Sequence, residues 1–375
     1  MKKSILSALS AILVFVMVLS FAITGYSSSD VNTNNWMSAV DDTKVLTEIN
    51  IPGTHDTATK YVSLSLFSKT QSLSIREQLE SGVRYFDTRI EYDDNDFYAV
   101  HGIANCKKEG GLFTDRLTAG DIVEDCKSFL NDNPTETILF QLKEEQSSAG
   151  SDFYTYFYDN YIEDNLENWY LENRIPTLGE VRGKIVLLRV AGYDTQLFDD
   201  SNSGINFGGY PYIGDLTQYN YQRRDIEKAD GTKYSSMYVQ DSYKLEGDDK
   251  WECIKTFLDS DLNSDEFNIC MTNCTRLKVP KHNARNINKR IMEYDFQKGK
   301  YYGIISVDYV TEELCRLVIN TNSDIDSDFL NDNTDSLVQS SNNSDSRTKN
   351  IIVISICIVL VLGIVIYFII KRKRD

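Results

Sequence analysis

The chain has 375 residues, with 39 lysines and arginines against 56 aspartates and glutamates, a net charge of −17. Such an excess of acid is unfavourable for nucleic acid and for electrostatic docking on an anionic membrane, so no nucleic-acid partner is expected. The length exceeds that of small modules and suits one large barrel or two average domains between the terminal segments.

Lys2 and Lys3 precede an apolar stretch from Ile5 to about Gly25 and then small polar residues. This is the pattern of a secretory leader over 1–29, or of an uncleaved anchor. A first strand is expected over Val45–Ile51, leading into Ile51-Pro52-Gly53-Thr54-His55-Asp56. Tyr61, Leu64, Leu66 and Phe67 follow and read equally as core or as an apolar rim that enters lipid. Ser74 and Glu77 form a capping box for a helix carrying Ile75 and Leu79 on one face and stopping at Gly82.

The second strand, Val83–Ile90, delivers Arg89, and the third, Phe97–Val100, delivers His101. Between them Asp93, Asp94 and Asp96 lack the twelve-residue pattern of a calcium loop and read as a solvated turn. Thr118 and Asp121 open a helix with Ile122, Cys126, Phe129 and Leu130 on one face. Strand four, Ile138–Leu142, precedes Lys143, with Glu144 and Glu145 at a site or on a solvated edge. Strand five, Lys184–Leu188, precedes Arg189; strand six, Ser236–Gln240, precedes Asp241 and Tyr243. Strand seven is Phe267–Thr272, a helix follows over Asn286–Phe296, and strand eight, Tyr301–Val307, precedes Asp308.

Strand and helix alternating about eight times predicts an α/β fold, a single distorted TIM (β/α)8-type barrel over 30–320. An open doubly wound sheet is the alternative, weakened because no glycine-rich phosphate motif follows the first strand. From 321 to 349 Asn, Asp, Ser and Thr dominate, the composition of a polar linker. Ile351–Ile370 carries no charge and is followed by four basic residues. A run of about 20 apolar residues is enough to span a bilayer, with its basic flank cytoplasmic. The expectation is a single-pass cell-membrane protein, tethered to its own membrane by a transmembrane helix over 350–370, its tail 371–375 inside and its catalytic domain extracellular.

Cys106, Cys126, Cys253, Cys270, Cys274 and Cys315 lie outside that run. An even count in an exported chain allows disulfides, with Cys106–Cys126 and pairs among the other four expected, or else buried thiols. No C-x-x-C motif recurs in pairs, which argues against a zinc site.

Only three histidines occur, and two sit at strand exits, His55 and His101. Two imidazoles suit base and acid in one proton-transfer reaction near neutral pH. The other strand ends add Asp56, Arg89, Lys143, Arg189, Asp241, Tyr243 and Asp308. Imidazoles, cations and carboxylates at one mouth suit an anionic substrate whose reaction moves two protons, as phosphodiester cleavage does. His282 reads as a surface or rim residue, and Asp87 as a hydrogen-bond partner of Arg89.

The motifs Ile51–Asp56, Gly82–Arg89 and His101-Gly102 resemble the X-type catalytic domain of bacterial phosphatidylinositol-specific phospholipase C. So do Asn133–Ile138 with Lys143, Arg182–Leu188, Asp241–Tyr243 and Val307–Tyr309, which together cover about Trp36 to Ile319. The resemblance implies a distorted TIM barrel and cleavage of phosphatidylinositol, or a glycosylphosphatidylinositol, without metal or other cofactor. It implies His55 as general base oriented by Asp308, and His101 as general acid supported by Asp56. Arg89 would hold the phosphoryl oxygens. Lys143, Arg189, Asp241 and Tyr243 would bind the inositol hydroxyls, although the family's arginine can fall one position later, at Val190. A glycerophosphodiester phosphodiesterase is disfavoured because His-Asp-Thr (55–57) stands where that class has His-Arg-Gly. A catalytically silent barrel binding lipid or glycan is the alternative of another class.

Overall fold

The computed structural model describes residues 32–325 except 112, 147, 148, 151, 211–220 and 275–278. Twelve strands are present among them: β1 Ile51–Thr54, β2 Tyr85–Asp93, β3 Asp96–His101, β4 Ala104–Asn105, β5 Ile138–Glu144 and β6 Trp169–Tyr170. The others are β7 Ile185–Arg189, β8 Ile205–Asn206, β9 Tyr221–Glu227, β10 Lys233–Gln240, β11 Phe267–Met271 and β12 Ile304–Val307. Their spatial order is β6-β7-β5-β2-β1-β12-β11-β10-β9. Every pair from β6 to β10 along this path is parallel. The β9–β10 pair is antiparallel.

Sequence explains the strands' burial. All five residues of β7, Ile-Val-Leu-Leu-Arg, are buried, as are those of β11. A parallel strand covered on both faces selects such continuous apolar runs. In β2 the faces alternate: Tyr85, Asp87 and Arg89 share one side, while Phe86, Thr88 and Ile90 take the other. Strand β1 carries Gly53 because a Cβ there would lie 2.7 Å from Tyr85 Cδ1. On the opposite side of β2 the buried Arg84 donates through Nε to Glu136 Oε2 at 2.9 Å and through Nη1 to Leu79 O at 2.7 Å.

Several boundaries differ from expectation. The first strand begins at Ile51; Leu46–Glu48 before it is a 3-10 turn. The connection from β2 to β3, too short for a helix and expected as a hairpin-like or irregular turn, is a hairpin: β3, counted among the eight strands, folds back antiparallel on β2 through a two-residue turn with positive φ at Asp94 (49°) and Asn95 (62°). The acidic cluster 93–96 is that turn. The helix expected from Asn286 runs Pro280–Met292, opening at a proline whose φ suits a first turn. The helices Ile75–Glu80 and Ala119–Asp132 have the expected capping boxes. Of the segment 321–349, expected as a polar linker, residues 321–325 are described and include the buried Thr321, Asn322 and Ile325; the rest lies outside the described residues.

Among the described residues the sheet does not close. It ends at β6 and β8 on one side and at β9 on the other. Asn173 bridges this seam with side-chain bonds instead of a ladder: its Nδ2 donates to Glu227 O at 2.9 Å, and its Oδ1 accepts from Asn206 N at 2.9 Å and Tyr234 Oη at 2.8 Å.

Two further expectations are corrected. The six cysteines of the described residues are buried and none is in a disulfide, so the disulfide pairs give way to the buried-thiol alternative. Burial pushes the thiols of Cys106, Cys126, Cys270 and Cys315 up, and they pack as small apolar side chains. The single-pass, tethered localisation is withdrawn, because no helix among the described residues is long and apolar enough to cross a membrane. The segments that suggested it, 1–29 and 350–370, lie outside the described residues.

Candidate active site

Parallel neighbours end on the same edge of the sheet, and α/β barrels carry their sites at that edge. His55 and Asp56 follow β1, Asp308 follows β12, and Asp241 follows β10. Arg89, midway along β2, and Lys143, near the end of β5, are register partners. The β3 hairpin adds His101 from the side.

The buried His55 places Nδ1 2.7 Å from Asp308 Oδ1 and Nε2 3.0 Å from Asp56 Oδ2. His101 brings Nε2 to 3.1 Å from the same Asp56 oxygen. The two rings meet edge to face with centroids 6.1 Å apart. Arg89 Nε lies 2.8 Å from the other oxygen, Asp56 Oδ1. One carboxylate therefore meets both imidazoles through one oxygen and the guanidinium through the other. Asp56 achieves this at φ 44°, a left-handed conformation that aspartate tolerates better than most residues.

Asp87 is the structural partner of Arg89: its Oδ2 lies 2.9 Å from Nη2, and its Oδ1 accepts from Gln141 Nε2 at 3.0 Å. Glu145 belongs to the site as well. Its Oε2 lies 3.1 Å from Lys143 Nζ and 3.7 Å from Arg89 Nη1, and its Oε1 accepts from Gly102 N at 2.8 Å. Asp241 is buried and Tyr243 half-buried beside it. Arg189 is buried at the same edge but outside this cluster. It donates to Ser203 O at 2.8 Å and Ala191 O at 2.7 Å and stacks 3.8 Å from the Tyr193 ring centre. His282 is exposed.

Electrostatics follow from this crowding. Burial alone would push His55 down, but Asp56, Asp308 and the Asp308 hydrogen bond outweigh it, so His55 is raised to about 9. Burial likewise opposes charge on Asp87 and Arg89, yet their mutual attraction prevails. Asp87 lies below the ordinary carboxylate range and Arg89 well above the ordinary guanidinium range. His55, Asp56 and Asp87 bring ligand-type atoms within 4.8 Å of one another, a set of the kind that holds a metal ion. Arg89 contacts both carboxylates of that set and supplies the positive charge a cation would bring.

Three partners escaped sequence reasoning. Asn273, two residues past β11, places Nδ2 3.2 Å from His55 Nε2. The strand-exit criterion that selected Asp241 and Asp308 would have found it. Gln71 donates from Nε2 to His55 O at 2.9 Å and Val307 O at 2.8 Å, locking β1 to β12. Ser68 O lies 2.8 Å from His101 Nδ1. These two come from a loop with no periodic signal. Ser68 ends the short helix Ser65–Ser68; Leu64, Leu66 and Phe67 there are exposed and so are not core, while Tyr61 is half-buried.

Residues 46–190 match the family model described as phosphatidylinositol-specific phospholipase C, X domain. The 1-phosphatidylinositol phosphodiesterase of Staphylococcus aureus strain NCTC 8325 is 32% identical over 271 residues, 69% of this chain and 76% of that protein. That of Listeria monocytogenes is 29% identical over 314 residues, 78% of this chain and 86% of that protein. Among solved structures, a phosphatidylinositol-specific phospholipase C of S. aureus superposes with a TM-score of 0.61 at 27% identity, covering 78% of this chain and 98% of that one. The L. monocytogenes enzyme gives 0.58 at 26% identity, covering 78% and 99%.

Proposed function

The chain belongs to the phosphatidylinositol-specific phospholipase C family, and we propose that it cleaves phosphatidylinositol by metal-independent intramolecular phosphoryl transfer. His55 Nε2 takes the proton from the inositol 2-hydroxyl, whose oxygen attacks the adjacent phosphorus. His101 Nε2 gives a proton to the diacylglycerol oxygen as its bond to phosphorus breaks. The products are diacylglycerol and inositol 1,2-cyclic phosphate. Asp308, 2.7 Å from Nδ1, orients His55 and balances the charge of its ring. Asp56 supports His101, and Arg89 stabilises the charge that develops on the phosphoryl oxygens. Lys143, Asp241 and Tyr243 bind the inositol ring, with Arg189 at its edge. The exposed Leu64, Leu66 and Phe67 beside Ser68 give the acid's side of the mouth an apolar rim suited to lipid.

The observation that carries this reading is the single Asp56 carboxylate shared by both imidazoles and Arg89. The decisive experiment incubates the full chain with phosphatidylinositol vesicles in excess chelator and follows phosphorus NMR. A cyclic phosphodiester signal is expected. Activity that disappears in chelator and returns with calcium would refute the metal-independent route. Direct release of the acyclic monophosphate would refute 2-hydroxyl attack.

A further inference from the structure

The nitrogen that acts as base has a neighbour without a role so far. Asn273, two residues past β11, is buried, and its Nδ2 lies 3.2 Å from His55 Nε2. Its Oδ1 is buried as well and has no hydrogen-bond partner among the described residues. Asp308 holds the other ring nitrogen, Nδ1, at 2.7 Å. A neutral ring, the form a base needs, gives its Nδ1 proton to Asp308 and presents a lone pair at Nε2. Asn273 N–H then donates to that lone pair. Asp56 Oδ2 also stands 3.0 Å from Nε2, but a carboxylate only accepts and cannot donate to a lone pair.

The lone pair that Asn273 covers is the one that must take the substrate's proton. A hydroxyl gives its proton to a base only from about 2.6–3.2 Å away. At that distance the inositol 2-oxygen occupies the space in front of Nε2 and displaces the amide. Because Nδ2 starts 3.2 Å from the same nitrogen, the displaced amide and the arriving oxygen are neighbours. A buried N–H is costly to leave unpaired, and the 2-oxygen is the acceptor at hand. Nothing tethers the other end of the amide: with Oδ1 unpartnered, it turns toward that oxygen without breaking a second bond.

We infer that Asn273 is a further catalytic residue: its Nδ2 passes from His55 Nε2 to the inositol 2-oxygen and stabilises the negative charge that gathers there as the proton leaves. This rests on the reading of 2-hydroxyl attack proposed above. The oxygen–hydrogen bond breaks, its proton goes to Nε2, and its electron pair forms the new bond to phosphorus. Asn273 keeps both of its own protons. Its bond to the oxygen replaces its bond to the ring, so substrate binding changes little. The new bond strengthens as charge builds, so it acts on kcat.

The test is steady-state cleavage of phosphatidylinositol vesicles by the full chain carrying Asn273→Leu, which keeps the volume and loses the donor, or Asn273→Ala. Each should lower kcat about 10²–10³-fold, as loss of one donor to a developing oxyanion does, with KM within about threefold. Proton NMR of the His55 ring should show its value still raised in both variants. A folded variant with kcat within about threefold of the wild type would overturn the inference. So would a loss of kcat with the His55 ring falling toward its ordinary 6.5, since Asn273 would then only hold the ring against Asp308. A readout that needs no variant is nitrogen-15 NMR of the Asn273 side-chain amide in the wild type. Its signals should move with myo-inositol and much less with the 2-deoxy analogue; equal movement with both, or none with either, would refute the role. A wild type that cleaves the lipid without releasing a cyclic phosphate would instead overturn 2-hydroxyl attack, the reading beneath the inference.

Discussion

Asp56 sits where its two oxygens divide three partners, and the chemistry at the residue scale follows from that division. With Oδ2 between His55 and His101, removing either imidazole takes away one proton carrier while leaving the other's partner in place. His55→Ala and His101→Ala should each lower cleavage by about 10²–10⁴, the scale of positioned acid–base catalysis. Near-normal turnover in either variant would end the two-histidine mechanism. The state of His55 also sets a pH dependence. Its folded value of about 9 lies above its ordinary 6.5, so the ring is protonated in the free protein at neutral pH. A base must be neutral, so kcat/KM, which reports the free protein, should rise with pH up to about 9. The same shift stabilises the fold: the contribution is complete below about 6.5 and is lost as pH climbs through about 9. Proton NMR of the His55 ring should report the raised value, and Asp308→Asn should lower it. An unshifted ring in the wild type would show that the two carboxylates do not act as described.

At the scale of elements, each strand is tuned to deliver its end residue. Strand β1 has only four residues, and Gly53 is where it packs against Tyr85. A methyl group there would meet Tyr85 Cδ1 at 2.7 Å, and Tyr85 donates to Gln141, which in turn donates to Asp87. Gly53→Ala should therefore destabilise the fold by about 1–3 kcal/mol, as overpacking does. It should also lower activity through the shifted Asp87–Arg89 pair. Thermal unfolding and turnover measured together check this, and an unchanged midpoint would show that Tyr85 moves aside at no cost. The β2–β3 hairpin is the element that departs most from a regular barrel. It replaces a barrel strand by an antiparallel arm, and that arm carries His101.

On the scale of the whole molecule, the seam of an incomplete barrel is bridged by side-chain hydrogen bonds, with the buried Asn173 making three of them. Asn173 connects β8, β9 and β10 through Asn206, Glu227 and Tyr234. Asn173→Ala would remove its bonds to Asn206 N, Tyr234 Oη and Glu227 O, of which Glu227 O keeps Asn206 Nδ2 at 3.2 Å, and should cost about 1–3 kcal/mol. Hydrogen exchange should quicken in β9 and β10 and stay slow in β1, β2 and β5. Uniform loosening across the sheet would show that the seam is not a separate weak point.

Neighbouring residues alone made legible the alternation of strands and helices, the two capped helices, the acidic turn and the strand exits bearing His55, His101, Arg89, Lys143, Asp241 and Asp308. These are local: periodicity, caps and strand exits are written in neighbouring residues. They did not determine the start of β1, the role of β3, the open seam, the fate of the cysteines or the contributions of Gln71, Ser68 and Asn273. Those depend on which distant segments meet. Gln71 matters because Val307 comes beside His55, and Asn273 because the exit of β11 reaches His55 Nε2. A thiol becomes a packing group or a disulfide according to its neighbours in space, and Asp56 becomes a hub only when β1, β2 and the β3 arm converge. Tertiary structure decided these because burial and proximity, unlike periodicity, have no local signature in the chain.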